Sequence, residues 1–245
     1  MEISKGNWIF ISIFFLAICT ACGGSGGGSG DIIPPFTTND AVAVGDLNGD
    51  GKSDLVATSS YNLFVFFQDS ILLGTFLPAI TYVAGPRASS VVIHDIDGDG
   101  LPDLVIVNAG DPTDGANSSI SIRLQNPDSP GNFLPATNYA SANGSRSVAV
   151  GALNGDGSPD LAVAAVGYSS QSPGVAQVFL QNNGLPGTFL MPQSYGAGHT
   201  TQSIGIEDLN GDEKPDLASN DGPIVLIQNP SQPGIFVGGI VLPVH

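Results

Sequence analysis

A chain of 245 residues with 42% hydrophobic content can build one sizeable packed domain, which excludes an intrinsically disordered protein. Only 11% of residues are charged, 22 acidic against 6 basic, and the net charge of −16 argues against nucleic acid and anionic membrane surfaces as partners while suiting cations. The 33 glycines and 18 prolines point to many turns and short strands rather than long helices.

The chain opens with an apolar run, residues 8–18, too short to span a bilayer as a permanent helix. It follows a short polar start holding Lys5 and precedes small residues, as in a secretory signal over residues 1–21. The stretch "LAICTAC" followed by glycines resembles a bacterial lipoprotein signal, which implies lipidation of Cys22, with small Ala21 before it. Cys19 is the alternative site, and a plainly cleaved signal or an uncleaved anchor are the other readings. Residues 22–37, beginning "CGGSGGGSG", read as a flexible tether. Beyond Cys22 there is no cysteine, so the exported part is held by its core or by metal rather than by disulfides.

From residue 38 the sequence repeats. Ten-residue acidic loops begin at 46, 95, 152 and 208: "DLNGDGKSDL", "DIDGDGLPDL", "ALNGDGSPDL" and "DLNGDEKPDL". A second pattern keeps stricter spacing, with Gln68, Gln125, Gln181 and Gln228 each followed by a glycine, a phenylalanine (Phe76, Phe133, Phe189, Phe236) and then Tyr82, Tyr139, Tyr195 or, breaking the pattern, Leu242. Within each unit one strand is expected before the acidic loop, one after it, one ending in the Gln, and one containing the Phe and running towards the Tyr. Four-stranded units at a period near fifty are the signature of β-propeller blades. The expected architecture is therefore an all-β propeller of four blades, about 38–86, 87–144, 145–200 and 201–245, closing as a four-bladed ring or forming part of a larger one.

The second acidic loop explains why so many oxygens crowd together. Counting Asp95 as position 1, carboxylates fall at positions 1, 3, 5 and 9, with Gly100 at position 6 permitting a sharp turn. Such a cluster of hard donors suits Ca²⁺, and without a cation the carboxylates repel. An EF-hand would place a Glu at position 12 and then a helix, whereas position 12 here is Ala57, Ile106, Val163 or Ser219 inside a strand.

These loops, with the recurring Gly-x-Phe and Tyr, resemble the FG-GAP and VCBS repeats of integrin α-subunit propellers and many bacterial surface proteins. The resemblance covers about residues 38–245 and implies calcium held at positions 1, 3, 5, 7 (by its carbonyl) and 9. Those positions are Asp46, Asn48, Asp50, Lys52 and Asp54 in the first loop, and Asp95, Asp97, Asp99, Leu101 and Asp103 in the second. They are Asn154, Asp156, Ser158 and Asp160 in the third, and Asp208, Asn210, Asp212, Lys214 and Asp216 in the fourth. Two loops depart from the pattern: Ala152 removes the first ligand of the third, and Glu213 replaces the turn glycine of the fourth. The competing reading is a metal-free Asx turn capping its own backbone.

Catalysis is not expected. The histidines His94, His199 and His245 have no zinc-like spacing, no Gly-x-Ser-x-Gly elbow occurs, and no cysteine after Cys22 can act as nucleophile. The expected function is a secreted, lipid-tethered, calcium-stabilised module that binds a protein or glycan at the bacterial cell envelope, adhesion included. The alternatives are a structural or accessory subunit of an envelope assembly without its own ligand and, behind it, a glycan-active enzyme. Loop length varies on the side away from the acidic loops, at 109–119 and 167–174, which is typical of a binding surface.

Overall fold

The computed structural model describes residues 40–59, 61–111, 113–167, 173–198, 201–220 and 224–241. The signal, the tether, Cys22, Cys19, His199, Leu242 and His245 lie outside the described residues.

The described chain is all β, in four antiparallel four-stranded sheets. Blade 1 is β1 (Val42–Gly45), β2 (Asp54–Ser59), β3 (Asn62–Phe66) and β4 (Ile80–Val83). Blade 2 is β5 (Ala88–His94), β6 (Asp103–Asn108), β7 (Ser119–Arg123) and β8 (Thr137–Ala140). Blade 3 is β9 (Ser145–Gly151), β10 (Asp160–Ala165), β11 (Val175–Phe179) and β12 (Gln193–Gly196). Blade 4 is β13 (Ile204–Glu207), β14 (Asp216–Ser219), β15 (Ile224–Gln228) and β16 (Phe236–Val241). Strands pair only with their sequence neighbours, so each blade is a meander.

The second strands of blades 1 to 3 are buried on both faces, which is why they read as nearly continuous apolar runs. Their side chains alternate between the blade before and the blade after. Val56 of β2 packs with Leu104 and Ile106 of β6, in the cluster between blades 1 and 2. Val105 and Val107 of the same β6 face the other way and pack with Leu161 and Val163 of blade 3. Ala162 and Ala164 then meet Leu217 and Leu226 of blade 4. Three clusters thus join four blades, and none of them joins blade 4 to blade 1.

A staple repeats at each junction. The amide of Phe133 donates to the Tyr82 hydroxyl, that of Phe189 to Tyr139 and that of Phe236 to Tyr195, at 3.1, 3.1 and 3.2 Å. The paired rings stand edge to face, 5.7–5.8 Å apart, in the arrangement aromatic quadrupoles prefer. At the first junction the Arg123 guanidinium also lies 5.1 Å from the Tyr82 ring and donates to the Val83 carbonyl.

The fourth strands differ from expectation. In blades 1 to 3 the phenylalanine forms only an isolated bridge to its glutamine, and the strand resumes several residues later. Pro78, Pro135 and Pro192 fall in the gap and cannot donate to a ladder. Blade 4 has Val237-Gly238-Gly239 there instead, so β16 runs unbroken from Phe236, with a register shift opposite Leu226/Ile227.

Candidate metal centre

The acidic loops join the first two strands of each blade, and in each the position 9 Asp is the first residue of the second strand. That Asp is fully buried in every blade. Asp103 accepts hydrogen bonds from the Ile96 amide at one oxygen (2.8 Å) and the Gln125 amide at the other (2.7 Å). Asp54 bridges Leu47 and Gln68, Asp160 bridges Leu153 and Gln181, and Asp216 bridges Leu209 and Gln228 in the same way. Position 9 therefore braces the loop against the third strand. The family resemblance implies only a cation ligand at this position. The signal for its second role was the Gln recurring in every unit behind it.

The remaining carboxylates organise the turn itself. In the second loop Asp95 accepts from Gly98 and Gly100, Asp97 from Asp99, and Asp99 from Leu101. Gly100 sits at φ 89°, a conformation open to glycine at no steric cost. Carboxylate oxygens of Asp95, Asp97 and Asp99 lie within 4.8 Å of one another, so this acidic cluster has the oxygens to bind a metal ion. Among the described residues it is the one such group of three. Asp103 is not within it.

The first and fourth loops build the same turn. Asp46 accepts from Gly49, Asp50 and Gly51, and Asn48 from Asp50. Asp208 accepts from Asn210, Gly211, Asp212 and Glu213, and Asn210 from Asp212. Glu213 takes φ 65° where the other loops have glycine, at a cost of about 1–2 kcal/mol in that backbone state. The third loop keeps the turn without its first anchor: Asn154 accepts from Asp156, and Asp156 from Ser158.

The loops differ most in how their charge is answered. Lys52 pairs with Asp50 at 3.2 Å and Lys214 with Asp212 at 3.9 Å. In the third loop the Asn154 side-chain amide donates to Asp156 at 2.7 Å. The second loop has Leu101 where the lysines stand. Two of its carboxylates, Asp97 and Asp103, hold protons more readily than an ordinary aspartate. Burial, then the neighbouring Asp99 and Asp95 charges, raise Asp97 against one amide bond from Asp99. Burial pushes Asp103 up to about 6 despite amide bonds from Gln125 and Ile96, and Asp97 and Asp99 add to the rise. Conversely, Asp50 is held below the usual carboxylate range, chiefly by the Lys52 amide, and Asp208 by the amides of Glu213, Gly211, Asp212 and Asn210. An all-oxygen donor set with unanswered negative charge fits a hard divalent cation.

His94 is the one histidine among the described residues, and its Nδ1 lies 2.9 Å from the Asp95 carbonyl at an exposed strand end.

The FG-GAP-like repeat pattern matches the chain three times, over residues 46–106, 95–163 and 153–219. Among solved structures, the chain is similar to the V. cholerae biofilm matrix protein Bap1, with 20% identity and a TM-score of 0.38. That match covers 84% of this chain but 40% of the Bap1 chain, so this protein spans well under half of its length.

Proposed function

We propose, from the premise that this chain belongs to the FG-GAP-like repeat family, that it is a calcium-stabilised β-propeller module that binds a protein or glycan ligand at the bacterial cell envelope. The observation that carries the reading is the convergence of Asp95, Asp97 and Asp99 on one tight turn, with no cationic side chain among the described residues paired to them. Asp46, Asn48 and Asp50, and Asp208, Asn210 and Asp212, repeat that turn with one carboxylate fewer. Bound Ca²⁺ would neutralise the clustered carboxylates and cross-link the turn through oxygen ligands. The buried Asp at position 9 would pass that rigidity to the third strand through its bond to the glutamine amide. The module has no catalytic role of its own, and acylation of Cys22 with the glycine-rich tether would hold it at the membrane.

Cation binding to the folded state alone stabilises it by mass action, about 2.7 kcal/mol at a hundredfold excess over Kd. The melting temperature is therefore expected to rise with millimolar Ca²⁺ and to fall with chelator. An unchanged melting temperature would remove calcium from the reading. A glycan array and a pull-down from envelope extracts then test recognition: a specific ligand supports a binding module, and a constitutive partner chain supports an accessory subunit instead.

A further inference from the structure

The three junctions inside the chain are one contact made three times. In the blade before, the second residue of the acidic loop is fully buried: Leu47, Ile96 and Leu153 each have 0% exposure. In the blade after, the turn glycine sits so close that a Cβ on Gly131, Gly187 or Gly234 would lie 2.7–3.0 Å from Phe67, Leu124 or Leu180 of its neighbour. At the second and third junctions the glutamine of the later blade adds a grip, Gln181 donating to the Ile96 carbonyl and Gln228 to that of Leu153, at 2.8 and 2.6 Å.

Each end of the array carries one half of this contact unmated. On blade 4, Leu209 holds the place of Leu47, Ile96 and Leu153 but is 47% exposed. Ile227 holds the place of Phe67, Leu124 and Leu180, and Val225 beside it is half-buried, whereas Val225's counterparts Val65, Ile122 and Val178 are closed off. On blade 1, a Cβ on Gly74 would meet nothing within 4 Å. Val44, which holds the place of Ile93 and Ile206, is 64% exposed, whereas those two lie against the preceding blade, where a Cβ on Gly45 or Gly151 would come within 3.2–3.3 Å of them. Blade 1 nevertheless keeps Gln68, Gly74 and Phe76, the set that grips a preceding blade. Leu55, Phe64 and Phe66, deeper on the same side, are shielded and belong to none of the three clusters, so the open rim is what blade 1 offers.

We propose that the chain associates head to tail with a second copy of itself, blade 4 of one copy seating on blade 1 of the next. Leu209 and Ile227 enter beside Gly74, and the Gln68 side-chain amide reaches the Leu209 carbonyl as Gln181 and Gln228 reach theirs. The occupant is a second copy because both halves of a contact already made three times within the chain are left open on that chain. The contact is heterologous, giving a closed dimer if the rotation closes and a longer array if it does not. It stands whether or not calcium is the cation.

The test measures the mass of the full chain in solution across a concentration series, with Leu209→Arg and Val44→Arg compared under the same conditions. Both positions are exposed, so both variants should fold. The wild type is expected to exceed one-chain mass. Each variant alone should stay at one-chain mass, and an equal mixture should regain a two-chain species, because each supplies the half the other lacks. That rescue is impossible for misfolded chains. A wild type that stays at one-chain mass throughout overturns the proposal. So do variants that associate as the wild type does, which would place the contact elsewhere, such as the apolar run 8–18.

Discussion

Asp103 shows how one residue can serve two demands that conflict. Its two oxygens are taken by backbone amides, which favour the ionised form, yet burial beside Asp97 and Asp99 wins and raises it to about 6 from an ordinary 3.8. A carboxyl that binds its proton more tightly folded than unfolded stabilises the fold as pH falls through its folded value. Asp97 and Asp160, raised mainly by burial, act in the same sense. Asp50 and Asp208, held low by backbone amides, withdraw stability only below about 3.8. In chelator, therefore, the melting temperature is expected to climb as pH drops from 7 to 5 and to decline at more acidic pH. A flat or falling profile between 7 and 5 would mean that burial does not set the proton affinity of these groups. With Ca²⁺ present the trend should reverse, since protons then compete with the cation for the same oxygens.

At the scale of the element, the four loops share a backbone but not a charge, and their affinities should differ. The second loop offers four carboxylates including position 9 and no lysine; the first and fourth offer three, each with a lysine folded back on position 5. The third offers two, already met by Asn154. The fourth additionally holds Glu213 in a glycine conformation. The expected order of Ca²⁺ affinity is second, first, fourth, third. Calorimetric titration should show a larger loss for Asp97→Ala than for Asp156→Ala, and a gain for Ala152→Asp. Equal losses with no gain would mean that carboxylate count does not govern affinity here. The strands and loops were legible because each rests on a local pattern: alternation, turn glycines, an acidic decad. The break in the fourth strands was also written locally, in Pro78, Pro135 and Pro192, but the phenylalanine that precedes them was read as part of one continuous strand. The bracing role of position 9 was harder to see, because Asp103 and the Gln125 amide are 22 residues apart and nothing local marks the bond.

Across the whole molecule, the sequence shows four repeats but not how their ends are left. Leu209 and Ile96 are similar residues at equivalent positions, yet one is half-exposed and the other is sealed in the cluster shared with blade 3, and nothing in either local sequence marks the difference. Successive blades touch through nearest-neighbour clusters only, so stability should be graded along the array. Amide hydrogen exchange is expected to be slowest in β6 and β10, which have a blade on each side, and faster in β14 and β15. Uniform protection across the blades would indicate a single cooperative unit. The tyrosine–phenylalanine staples carry a further consequence, for descent rather than stability. An inner blade supplies the tyrosine of one staple and the phenylalanine of another, so a gene segment encoding one blade arrives with both of its couplings. Loss of residues 145–200 would remove Phe189 together with Tyr195 and leave Tyr139 facing Phe236. A lineage can shorten or lengthen such a chain by unequal recombination, one whole blade at a time, without redesigning a single joint.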